Sequence, residues 1–437
     1  MKRVVVFLSL LLALMMAVPA MAAESVSILH LSNLLNPTSD EPMSAQNMGE
    51  LAGLQEFMQA NPDVEIIEEG YSDQSAYQQK IYTMAAAGDL PDVFYLKGSW
   101  VTEFVNNGWA VDITKVLDED PEWKAIFNPG AFDNFTRDGA VYGIPTQSMV
   151  TSVVYYNAAL WREMGYDSFP TTWDELIEAA AKFKEKDLLM FTMGNKANWP
   201  AESCWLSTIG DRVTGTEWTN SIVAKDGNAN FTDESFVSAV AAFQKLAMTP
   251  GALNIDINSL DESQGREAFL NGKAGTIVDG SWMISTLEQT KPDFFDDIEV
   301  AILPAIEGGK GAANAVSGGP AWSYALSSAA MSSPERFNAA VGVLKALTGE
   351  TSFRIALENG EIMAATVDFD ASKTGPILTK FLNMMKDKST TPIYDACMES
   401  VVIETMNVGL QEVLIGAKTP EALCEEIQRE QEMAMLG

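Results

Sequence analysis

The sequence predicts an α/β fold in two lobes, and three observations carry that reading. Segments of strand character alternate with helical segments of ordinary length, the pattern of βα units built on a mainly parallel sheet. The chain has 437 residues, enough for two domains of usual size. It shows no fixed-period repeat and no low-complexity linker, so strands, not a flexible tether, are expected to join the lobes.

The elements follow in order. Met1-Lys2-Arg3, the apolar run VVVFLSLLLALMMAV and then PAMAAES have the basic, apolar and small-residue regions of a secretory signal peptide. Ala20-Met21-Ala22 satisfies the small-x-small cleavage rule, and so does a cut after Ala23. Residues 1–23 are therefore assigned to the signal, with the mature chain starting at Ala23 or Glu24. No cysteine follows the cut, so the expected product is exported, periplasmic or extracellular, and not lipid-anchored. SVSILHLSN reads as a first strand ending in a polar loop, and a helix follows around Leu51, Leu54 and Met58. NPDVEIIEEG gives a turn and a second strand. SAYQQKIYTMAAAGDLPDVFYL gives a helix, a Gly-Asp break and a third strand. VYGIPTQSMVTSVVYYN is extended, β-branched and aromatic, broken by Pro145, and is a candidate crossing between lobes.

PTTWDELIEAAAKF starts a helix with Thr172 as N-cap and Glu175 three residues on, the spacing of a reciprocal capping box. Trp173, Leu176, Ile177, Ala180 and Phe183 fall on one face, which makes Trp173 a core residue. Ala274–Val278 reads as a short buried strand that runs through Asp279-Gly280-Ser281 and delivers Trp282 where burial should end. Ser281 is placed to cap the helix that follows.

Composition excludes several functions. The formal net charge of −32 argues against nucleic acid and anionic membranes, both of which reward Lys and Arg. His30 is the only histidine, which removes histidine-rich zinc sites and Ser–His or Cys–His catalysis. Cys204, Cys397 and Cys424 are widely spaced, without C-x-x-C; one disulfide is possible and would leave a thiol over. GGKGAANAVSGG lacks the spacing of a phosphate loop and reads as a turn-rich connection. No metal and no cofactor are expected.

NPDVEIIEEG, AAAGDLPDVFYL, VYGIPTQS…VVYYNAALWREMGY, PTTWDELIEAA, AFLNGKAGTIVDGSW and LQEVLIGAKTPEALCEEIQ occur in one order over nearly the whole mature chain. Together they resemble the extracellular solute-binding proteins of ABC importers, in the maltose-binding-like, sugar-oriented branch of family 1. The resemblance implies a type II periplasmic-binding-protein-like fold, two lobes of discontinuous sequence around a ligand cleft. Crossings then fall near Ile144-Pro145, Leu303-Pro304 and Thr348-Gly349. That gives a first lobe of residues 24–144 and 304–348 and a second of 145–303 and 349–437. A monomer would close on a small ligand, be shifted only as far as the ligand prefers the closed state, and dock on a membrane permease.

The resemblance also supplies candidate ligand contacts. Trp282 stands where the family uses a flat platform for a sugar ring, and the Asp279 turn supports it at a strand's carboxyl end, where α/β sheets bind ligands. A sugar's C–H faces are apolar and its rim carries hydroxyls, so an aromatic face ringed by polar groups suits it. Ser99 and Trp100 follow the third strand toward the cleft, where they replace a charged Asp-Arg pair. Leu96 stands in place of an aromatic platform, a departure that argues against maltose itself. Asn195 and Trp199 in MFTMGNKANWP and Trp322 in SGGPAWSYALS resemble cleft-facing segments, with core packing the competing reading. Asn33 and Gln147 offer amides able to donate and accept together. Trp109, Trp161 and Trp173 sit where the family places packing residues.

Two other functions compete. A secreted glycosidase would use paired carboxylates, but 60 Asp and Glu residues guarantee close pairs in any fold. A binding protein for a polyamine, peptide or other polar solute would need several cleft carboxylates, such as Asp279 and Asp40, between aromatic faces.

Overall fold

A computed structural model describes residues 24–37, 43–71 and 73–436; the expected signal peptide and Asp40 lie outside the described residues. The first lobe begins with β1 (Glu24–His30), α1 (Ala45–Ala60), β2 (Val64–Gly70), α2 (Gln74–Ala87) and β3 (Val93–Lys97). β2 alternates between half-buried and exposed positions and lies at the sheet edge. β3 is buried at every position and lies at its centre. The Gly-Asp break is a helix stop, with Gly88 left-handed at φ 71° after α2.

The chain leaves this lobe through β4 (Ile144–Pro145) and β5 (Ser148–Val150), entering the second as β6 (Val153–Asn157). There follow α3 (Trp173–Glu185), β7 (Leu189–Thr192), a π-helical turn (Ala201–Leu206) continuing into α4 (Ser207–Thr214), and α5 (Glu234–Met248). Next come α6 (Glu262–Leu270), β8 (Ala274–Asp279), α7 (Met283–Thr290) and β9 (Ile298–Ile302). β10 (Ala315–Pro320) and β11 (Trp322–Leu326) return to the first lobe, where α8 (Pro334–Thr348) and α9 (Glu350–Glu358) pack. The chain ends with α10 (Pro376–Met385), β12 (Ser389–Thr391), α11 (Ser400–Leu414) and α12 (Pro420–Leu436).

The first sheet has the order β2-β1-β3-β11-β4, the second β9-β6-β8-β7, and a small third sheet β12-β10-β5. The expected mainly parallel sheets are mixed. β1 is parallel to β2 and β3, but β11 is antiparallel to β3 and β4; β8 is parallel to β7 and antiparallel to β6. The antiparallel members include β4, β6 and β11, which carry the chain across between lobes and so enter a sheet against its βα units.

Two of the expected crossings move. After β9 the chain stays on the second lobe, because the Arg212 guanidinium donates to the carbonyls of Leu303 (3.2 Å) and Ala312 (2.7 Å). The crossing is made by β10 and β11. Gly349 separates α8 from α9, yet Phe353 and Ala356 of α9 belong to the same core as Leu344 and Leu347 of α8. The chain leaves the first lobe between Ala365, in that core, and Ile377, in a core of the second lobe. Pro304 and Gly349 end local elements, and the sequence could not distinguish that from the end of a lobe.

Thr172 caps α3 by accepting from the Glu175 amide at 3.3 Å, while the Glu175 carboxylate accepts from Thr171 and not from the cap residue. Trp173, Leu176, Ala180 and Phe183 are buried, and Ile177 is half-buried. Trp161 is fully buried with its indole N–H on Thr276 Oγ1 at 2.8 Å, and Trp109 packs against the first core. Cys204, Cys397 and Cys424 are free thiols. No helix among the described residues is long and apolar enough to cross a membrane.

Candidate ligand-binding site

Residues at or just past the carboxyl ends of β1, β3 and β8 (His30, Lys97 and Trp282) line cavities to which both lobes contribute, the place where α/β sheets take ligands. A cavity of about 300 Å³ lies there. On the first-lobe side Tyr95 of β3 and Trp322 of β11 are stacked, with ring centroids 4.8 Å apart and planes 4° from parallel. His30 ends β1 beside them. Its Nε2 lies 2.8 Å from Glu68 Oε1 and its Nδ1 3.1 Å from the Tyr324 hydroxyl, so both ring nitrogens are occupied. Glu68 also accepts from the amides of Leu34 and Leu35, which fixes the loop after β1. Burial works against that carboxylate's charge, but the His30 hydrogen bond and charge and the two amides hold it below the usual range.

The start of α1 adds Gln46 and Glu50 to the wall, with the Gln46 amide donating to Glu50 Oε1 at 2.7 Å. Glu50 is 2 % exposed, and burial pushes its carboxyl up to about 7. Burial does the same to Glu361 behind it, again to about 7, with the Glu50 charge adding to the rise.

The second lobe supplies Trp199, Trp282, Ser203, Glu262 and Arg266. Trp282 is half-buried, with edges on both cores. Its indole N–H donates to Asp279 Oδ1 at 2.6 Å, and Arg266 Nε donates to Asp279 Oδ2 at 2.7 Å. The ring folds over Gly280 so closely that a Cβ there would stand 2.3 Å from it, which is why the turn needs a glycine. Trp199 meets it edge-on at 5.8 Å and 66°. Ser281, expected to cap α7, is instead tied to the hinge: its Oγ accepts from the Val150 amide and its own amide donates to the Val150 carbonyl. The turn after β8 thus locks an indole in place and fastens it to β5.

The sequence-derived contacts divide. Trp282, Trp199, Trp322 and Gln147 line the cavity together. Gln147 Oε1 is buried without a hydrogen-bond partner among the described residues, and a ligand hydroxyl would satisfy it. Asp279 stands behind the indole with its oxygens already used. Asn195 is fully buried and spends its amide on Asn258 and the Ala201 N–H, shaping the turn before the π-helix. Asn33 is half-buried and just outside the wall made by His30, Leu31 and Ser32. Ser99 and Trp100 line a separate, adjacent cavity of about 590 Å³. Trp100 is 3 % exposed, stacked on Tyr77, and shows that cavity little more than an edge. Leu96 is buried in the core.

Tyr95, Glu50, Gln46, Arg266 and Asp395 were not anticipated. Gln46 and Glu50 are one helical turn apart at the start of the first βα helix, the spacing that could have marked them. Among the described residues no group of three or more His, Cys, Asp or Glu could hold a metal ion.

Comparisons with known proteins agree with this geometry. The chain is 26% identical over 231 residues to the "Diacetylchitobiose binding protein DasA" of Streptomyces coelicolor, covering 52% of this chain and 51% of that protein. It is 25% identical over 254 residues to the "Maltotriose-binding protein" of Pyrococcus abyssi, covering 58% and 49%. The matches thus span about half the length of these curated relatives. Among solved structures, a "Chitin oligosaccharide binding protein" superposes with a TM-score of 0.84 at 24% identity, covering 95% of this chain and 100% of that one; this is a likeness of fold. A family model described as "Bacterial extracellular solute-binding protein" matches residues 44–350. With two lobes, an aromatic cleft between them and that match across most of its length, the chain belongs to the bacterial extracellular solute-binding proteins.

Proposed function

We propose that this protein is exported, captures a sugar between its lobes, and delivers it unchanged to the membrane permease of an ABC importer. The observation that carries the reading is the half-buried indole of Trp282, locked by Asp279 on one side of the cavity. Opposite it in the cavity wall is the stacked Tyr95–Trp322 pair, with Gln147, Gln46 and Glu50 as polar rim. Flat faces suit the apolar C–H faces of a sugar ring and the rim suits its hydroxyls. The sugars in the relatives' names are of the same class. A polyamine would need free carboxylates, but Glu262 and Asp395 in the wall already face Arg266 and Lys97. Catalysis by the sole histidine is disfavoured because both its nitrogens are engaged.

A thermal-shift screen of mono- and oligosaccharides, amino acids and polyamines tests the reading, since a ligand raises stability as RT ln(1 + [L]/Kd). Sugars are expected to raise Tm and be recovered intact on chromatography. A shift with polyamines or amino acids alone, or product formation, overturns it.

A further inference from the structure

We propose that Glu50 and Glu361 form a proton-operated catch on the hinge: both hold protons while the lobes are together, and their ionisation favours the parted state. Glu361 follows the end of α9, where Gly360 turns left-handed at φ 98° and the Glu361 amide donates to the Ala356 carbonyl at 3.0 Å. The residues after it cross between the lobes. The Ser148 amide donates to the Ile362 carbonyl and the Ala364 amide to the Thr146 carbonyl, both at 2.9 Å. Segment 362–364 therefore lies antiparallel on the stretch that joins β4 to β5, so two crossings run side by side. Glu361 sits at their root, 1 % exposed, with its Oε1 accepting from the Ile362 amide at 3.0 Å.

Glu50 reaches the same strand from α1. Gln46 donates to Glu50 Oε1 and, at 3.0 Å, to the Tyr95 hydroxyl, which lies 3.1 Å from Thr146 Oγ1 on the crossing strand. Glu50 is sealed yet forms part of the wall between the lobes, so parting them would wet it. Around it stand His30 of β1, Glu68 of β2, Tyr95 of β3 and Tyr324 of β11. Around Glu361 stand Glu50, Tyr95 and, from the second lobe, Tyr155 of β6. Burial keeps the three phenols neutral. Among the described residues neither carboxyl is in an ion pair, and His30 is committed to Glu68. Glu361 also stands at the negative end of α9. Ionising either acid in place leaves a sealed, unpaired charge beside a second acid. Each is accordingly pushed up to about 7. Protons are held more tightly with the lobes together than apart, so by linkage low pH favours closure and high pH opening. The catch does not depend on the solute being a sugar.

Small-angle X-ray scattering of the full chain without added solute, from about pH 5 to about pH 9, tests this. The radius of gyration is expected to rise with a midpoint near pH 7 while far-UV circular dichroism stays constant. Glu361→Gln removes one acid and its repulsion of the other, so the midpoint should move to lower pH. Glu50→Gln/Glu361→Gln should stay compact throughout. A role in stability alone would move Tm with pH and leave the radius of the folded chain constant. A constant radius, a rise that the double variant retains, or a rise accompanied by loss of helix signal overturns the catch. If the double variant does not fold, an unmoved midpoint in Glu361→Gln overturns it as well.

Discussion

Trp282 presents its ring to the cavity because a carboxylate holds its N–H and a glycine clears its face. Trp282→Ala should therefore weaken sugar binding by about 1–3 kcal/mol, the cost of losing an aromatic stacking partner, or roughly fivefold to 150-fold. Its stability should change far less than that of Trp173→Ala, which empties a core site and should cost about 3–5 kcal/mol. Titration and denaturant melts on both variants check the contrast; an early melt with unchanged binding for Trp282→Ala would make that residue packing. Glu50 gives a pH signature. Folded, it keeps its proton to about pH 7; unfolded, it loses it near 4.5, so unfolding releases a proton between those values. Stability should fall as pH rises through that window, by up to about 3 kcal/mol for this group. Glu50→Gln should flatten the slope of Tm against pH between 5 and 8, and an unchanged slope would assign it elsewhere. At this scale the sequence exposes the indoles, because an aromatic at a strand's end is conspicuous. Glu50 and Arg266 are not conspicuous, since on a helix each reads as an ordinary polar position until other elements of its own lobe pack around it.

Gly49 and Gly53, one turn apart on α1, let it sit against two helices. A Cβ on Gly49 would stand 2.2 Å from the Ser352 carbonyl of α9, and one on Gly53 2.0 Å from the Ala346 carbonyl of α8. Both obstacles are backbone, so Gly53→Ala should cost about 1–3 kcal/mol of overpacking, more than alanine's helix preference of about 1 kcal/mol returns. A raised Tm would show that α1 and α8 are less closely seated. The same contacts put α9 in the first lobe, against the expected boundary at Gly349. The capped start of α3, the buried strand β8 and the βα alternation are local signals and were legible. Lobe membership of α9 depends on backbone approach between segments some 300 residues apart, which no local pattern records.

Across the whole molecule the lobes also meet at residues 393–398, where Ile393 and Ala396 enter the first core and Tyr394 and Met398 the second. Asp395 in this segment pairs with Lys97, and both are buried. Asp395→Asn leaves that lysine uncompensated and should cost about 3–5 kcal/mol, with much of the loss recovered in Lys97→Met/Asp395→Leu. Denaturant melts of the single and double variants decide this, and equal losses in both would mean that the pair is not what holds the segment. The order of the first sheet has a further consequence. β11, residues 322–326, is inserted between β3 and β4, so no chain shorter than this can close that sheet. Until three quarters of the polypeptide has been made, β3 keeps an unpaired edge, and pairing over such sequence distances is intrinsically slow. The first lobe therefore cannot complete its sheet for most of the chain's synthesis, whereas every strand of the second sheet is made before residue 303.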